Sequence, residues 1–146
     1  MQYFNSRLLA LIAGVMLMSA CAPSTFVRTM DPNWNTITVR QGLSGDQAWD
    51  SVVDITAKRF DIEVISKENG YLRTGWSHSW TGTLSDSYKV RTIIKFNSDK
   101  TKLEVKSEAQ YLSRGGFRPG WKMGTDERLT ATMRTDIMGK VGRVTR

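Results

Sequence analysis

The segment WSHSW carries Trp76, His78 and Trp80 at alternating positions, and in an extended strand alternate side chains project to one side. Two indoles flanking an imidazole could form a stacking platform for a sugar, with His78 as acid, base or ligand. The same residues also suit a structural role, with the tryptophans covering the core or sheet edge and His78 partly solvated between them. His78 is the only histidine and Cys21 the only cysteine. No pair of acidic residues stands beside His78 at a metal-ligand spacing, so no zinc or other transition-metal site is expected. The chain has no G-x-S-x-G, no glycine-rich phosphate loop running into Lys-Ser/Thr, and no recognisable serine–histidine arrangement. Asp61, Glu63, Glu104 and Glu108 could converge as acid pairs, but cross-strand pairing with lysines explains them more simply. The expectation is a protein that is not an enzyme and holds no cofactor.

A second constellation is basic and aromatic. Arg114, Phe117, Arg118, Trp121 and Lys122 crowd the glycine-rich stretch SRGGFRPGWKMG, residues 113–124, which reads as a loop between sheet and helix. Arg73, Lys89, Arg91 and Lys95 fall where a sheet would turn them to solvent. Exposed arginine and aromatic side chains are enriched in binding hot spots, and guanidinium groups match phosphate and carboxylate. Loops held by a rigid scaffold are usual places for recognition. The plainer reading is a solvated sheet face and a loop whose Phe117 and Trp121 cap the core.

The compartment decides which partners are available. Arg7 is the one charge before residues 8–20, an uninterrupted run of 13 apolar or small residues. A bilayer span needs about 20, so this run reads as the core of a signal peptide, residues 1–20. It ends in Met18, Ser19, Ala20 and Cys21, which resembles the bacterial lipoprotein box, although Leu is commoner than Met at the first position. The resemblance implies cleavage before Cys21, a diacylglycerol on its thiol and an acyl chain on its new N-terminus. It also implies sorting: Ala22, rather than Asp, follows the cysteine, pointing to the outer membrane, periplasmic face, of a Gram-negative bacterium. The alternative is an ordinary secretory peptide in which Cys21 is incidental.

The chain has 21 basic and 14 acidic residues among 146, a net charge of +7, and a pI of about 9.8. That balance favours anionic partners, yet a periplasmic location makes nucleic acid an unexpected one.

Residues 21–35 show neither helical period nor alternation and read as a flexible tether, although Phe26 and Trp34 could fold back and shorten it. The remainder, 36–146, is one domain's worth of chain. A short strand, TITVRQ, precedes a helix over 45–59, marked by the capping-box spacing of Ser44 and Gln47 and by apolar residues from Ala48 to Phe60. The period then becomes two. DIEVISKE and YLRTGWSHSW flank an Asn-Gly turn, and YKVRTIIKF and TKLEVKSEAQYL follow as an antiparallel meander. A closing helix from near Thr125 to Val141 presents Leu129, Met133, Ile137 and Val141.

The expected fold is α+β, in the order β-α-β-β-β-β-α. It has a single antiparallel sheet of about five strands and two helices packed on one face. Trp49, RFDIEVISKENGYLRTGW (residues 59–76), YKVRTIIKF and the closing helix together resemble the helix-grip domain of BamC-like outer-membrane lipoproteins. This likeness implies an accessory or adaptor that binds another envelope protein, plausibly in outer-membrane protein assembly. The alternative is a module for an anionic envelope ligand: lipid head group, lipopolysaccharide or peptidoglycan.

Overall fold

Ser44 opens the first helix as its spacing from Gln47 predicts. The Gln47 N–H donates to Ser44 Oγ at 3.2 Å and the Ser44 N–H donates to Gln47 Oε1 at 3.0 Å, satisfying two donors that a helix start leaves without partners. In this computed structural model, which describes residues 22–78, 87–114 and 118–143, that helix is α1, Gly45–Ala57. It buries Ala48, Trp49, Val52 and Thr56. Ala57, expected on the apolar face, is exposed; Thr56 takes its place, donating its hydroxyl to the Val52 carbonyl at 2.8 Å. The second helix, α2 (Glu127–Val141), buries the four residues expected of it.

Seven strands form one sheet in which every described pairing is antiparallel: β1 (Phe26–Arg28), β2 (Asn35–Thr38), β3 (Ile62–Ser66), β4 (Tyr71–Thr74), β5 (Tyr88–Phe96), β6 (Lys102–Ser113) and β7 (Gly120–Asp126). The α+β class is as expected, but the count of about five strands is corrected to seven. The additions are β1, inside the stretch read as a tether, and β7, inside the stretch read as a loop. Neither has a long alternating pattern. β7 is a strand because β6 on one side and β1 on the other complete its backbone hydrogen bonds. The arm expected over residues 71–80 is regular only to Thr74, with an isolated bridge from Ser77 to Val90 beyond it.

The order across the sheet is β1-β7-β6-β5-β4-β3, with β2 off this path on β6. One edge of β6 carries β5, while the other is divided between β2, on residues 102–105, and β7, on residues 109–113. Between them Ser107 is bridged by side chains instead of a ladder: the Asp126 N–H donates to its Oγ at 3.2 Å and Thr125 Oγ1 donates to its carbonyl at 3.1 Å.

The inner face of the sheet, including Val90, Ile94, Leu103, Val105 and Ala109, shares one buried cluster with Trp49 and Val52 of α1 and with Leu129 and Met133 of α2. Both helices therefore cover the same face. The β3–β4 hairpin closes through four residues, with the Gly70 N–H donating to the Lys67 carbonyl at 3.2 Å. Only Gly70 there has positive φ, at 60°, and a Cβ would lie 2.8 Å from Phe96 Cβ. The expected Asn-Gly hairpin is present, but not as a two-residue turn.

β1 is fastened at three points. The Phe26 ring meets Tyr88 at 6.1 Å and Tyr111 at 6.0 Å between centroids. Beside it, Gly124 leaves room that a side chain would close: a Cβ would come within 2.3 Å of the Val27 carbonyl and 2.5 Å of the Phe26 ring. Thr25 Oγ1 donates to Asp126 Oδ2 at 2.8 Å, and the Glu127 N–H donates to the Thr25 carbonyl at 3.1 Å.

Candidate functional site

Outward positions of the central strands assemble a continuous aromatic and cationic surface. Alternation puts Lys89, Arg91, Lys106, Glu108, Trp121 and Met123 on the face opposite the helices, and the register sets Arg91 against Glu108 and Lys89 against Gln110, itself beside Met123. Lys89 Nζ lies 5.0 Å from the Trp76 ring centroid and 4.6 Å from that of Trp121. The Arg91 guanidinium stacks 4.5 Å from Trp76. Its Nη2 and Nε reach Glu108 Oε2 at 2.6 and 2.8 Å. Lys106 Nζ lies 3.3 Å from Glu108 Oε1 and 4.7 Å from the Trp34 ring centroid. One chain of contacts thus runs Trp121–Lys89–Trp76–Arg91–Glu108–Lys106–Trp34.

Two properties follow from this geometry. The Arg91 and Glu108 side chains are only 20% and 14% exposed, so their pairing is less screened than that of a surface salt bridge. Ile93, though on this outer face, is buried, because long side chains lay their stems over it. A face whose rotamers are already held loses little side-chain entropy on meeting a partner.

The expected site residues divide. Arg73 joins this face and pairs with Glu63 at 3.2 Å; Lys95 is exposed opposite Tyr71 and Glu104. Trp121 is 42% exposed beside Lys89. Lys122, next along β7, has the opposite parity, and its Nζ donates to the Arg118 carbonyl at 2.7 Å. Arg114 and Arg118 are exposed and form no ion pair among the described residues. The loop reading is therefore corrected for Trp121 and Lys122, which strand pairing holds. Cys21, Trp80 and Phe117 lie outside the described residues. His78 is exposed in a depression of about 510 Å³ whose lining includes Lys58, Arg59, Asp61 and Trp76. Trp34, expected only as a residue able to fold back on the domain, reaches Lys106 through the β2–β6 register, which nothing local encodes.

Where β2 and β7 divide the edge of β6, a second concavity of about 570 Å³ opens between the β1–β2 connection and α2. Arg28, Asp31, Asn35, Thr125, Glu127 and Arg134 are among its lining residues. Below it lies the one buried carboxylate among the described residues, Asp126, which accepts from Thr25, from the Tyr88 hydroxyl and from the Leu129 N–H. Burial, then the neighbouring Asp126 carboxylate, raises the Tyr88 phenol well above its ordinary value. Among the described residues no three His, Cys, Asp or Glu side chains gather as metal ligands. Compared with known proteins, the chain matches no family model and no curated protein.

Proposed function

We propose that the protein is a non-catalytic lipoprotein, anchored through acylated Cys21 in the outer membrane and facing the periplasm, that binds another envelope protein through the outer face of its sheet. The observation that carries this reading is the prearranged chain from Trp121 to Trp34. It combines the residue types enriched at protein interfaces with an ion pair already formed and partly desolvated. The likeness to BamC-like helix-grip domains supports an accessory role in barrel assembly, within an α+β frame enlarged by β1 and β7.

The test is purification of the full-length protein from its own envelope in mild detergent, with mass spectrometry of the eluate and of the N-terminal peptide. We expect a stoichiometric partner that is lost when Trp76→Ala and Arg73→Ala are combined, with the thermal transition preserved. A lipidated but solitary protein would overturn the reading.

A second reading, a module for an anionic envelope ligand, is favoured by the cations Lys89, Lys95, Arg114 and Arg118, which have no carboxylate partner among the described residues. Binding of that kind weakens steeply with salt. Contact through the tryptophans survives it.

A further inference from the structure

The large apolar side chains exposed among the described residues are unevenly placed. There are six: Val27, Met30, Trp34, Ile65, Trp121 and Met123. All but Ile65 belong to β1, the connection from β1 to β2, or β7. Val27 pairs with Thr125 and so shares the outward parity of Trp121 and Met123. Met30, in the connection just after β1, is 90% exposed. An apolar cluster concentrated on one corner of a sheet marks a surface that meets something other than water.

The chain shows what that is. The Phe26 N–H donates to the Pro23 carbonyl at 2.9 Å, a turn that folds the incoming segment back toward β1. Five positions separate Cys21 from Phe26, a span of at most about 17 Å at ~3.5 Å per residue. Acyl chains on Cys21 therefore hold this corner within a short step of the bilayer. Lys89, 4.6 Å from the Trp121 ring centroid, forms no ion pair among the described residues. Exposed tryptophan and methionine beside a cation with no carboxylate partner fit a headgroup region carrying negative charge.

We propose that the β1–β7 corner rests on the anionic phospholipid surface of the membrane that holds the anchor, with Val27, Met30, Trp121 and Met123 at headgroup depth and Lys89 on phosphate. The proposal rests on acylation of Cys21 and deepens the anchored reading above: it fixes which side of the domain faces the membrane. It also leaves Trp76, Arg91 and Arg73, toward β4 and β3, turned away from the bilayer for a partner.

The test uses the full-length lipidated protein in phosphatidylcholine vesicles, with and without phosphatidylglycerol, whose acyl chains are brominated near the headgroup. The expected result is quenching of tryptophan emission that is stronger with phosphatidylglycerol. Trp121→Phe should cut it more than Trp76→Phe does, because Trp121 is the exposed indole placed at headgroup depth. Lys89→Glu should remove the dependence on phosphatidylglycerol. Emission unaffected by bromination, from protein whose N-terminal peptide carries the acyl mass, would overturn this orientation while leaving the anchor in place. Protection of Trp121 only by a co-purified protein would overturn it too. An unmodified N-terminal peptide would overturn the anchored reading itself, and this proposal with it.

Discussion

Asp126 joins three parts of the molecule at one side chain. It caps α2, accepts from Tyr88 on β5 and accepts from Thr25 at the start of the docked N-terminal segment. Its place at the start of a helix is legible, since acids favour helix starts; its bonds to Thr25 and Tyr88 are not, because they span 101 and 38 residues. Tyr88→Phe keeps the ring against Phe26 but deprives a buried carboxylate of one donor, an expected loss of about 1–3 kcal/mol in denaturant titrations at neutral pH. The raised phenol gives this loss a pH signature. A group whose folded pKa exceeds its unfolded value near 10.0 stabilises fully below that value and loses the contribution as pH climbs past it. The gap between wild type and Tyr88→Phe should therefore hold constant up to about pH 10 and narrow above it. A constant gap at alkaline pH would contradict this account.

Among the elements, those with their own period were readable and those completed by neighbours were not. α2 declares itself by an apolar residue at every fourth position, and β5 and β6 by strict alternation. GWKMGTD, in contrast, hides a strand behind two glycines and turns its large apolar residues outward, the inverse of the usual pattern. Gly124 explains one of the glycines. Gly124→Ala is expected to drive Phe26 and Val27 off β7, costing about 1–3 kcal/mol. Hydrogen exchange at the Val27 amide, fast in the variant and slow in wild type, would report it. Ser44→Ala removes one side of the capping box and should cost about 1 kcal/mol in thermal or chemical unfolding. It should leave the outer face and its binding untouched.

At the scale of the whole molecule, the parity of the site was legible and its connectivity was not. Arg73, Lys89, Arg91 and Lys95 could be assigned to one face from alternation alone, but the ties to Trp34, Glu108 and Trp121 depend on long-range register. No helix among the described residues is long and apolar enough to cross a membrane; the covalent attachment proposed for this protein is at its N-terminus. Any pull between envelope and domain then passes through β1, three residues long and joined to the sheet along β7 alone. Such a strand is a mechanical fuse. Peeling it away frees the chain up to Asn35, where β2 begins, and lengthens the leash by about ten residues, or ~35 Å. Single-molecule extension should show that step before the domain unfolds, and Gly124→Ala should abolish it because the leash is already paid out. The domain would thus have two standing heights above its membrane, selected by load.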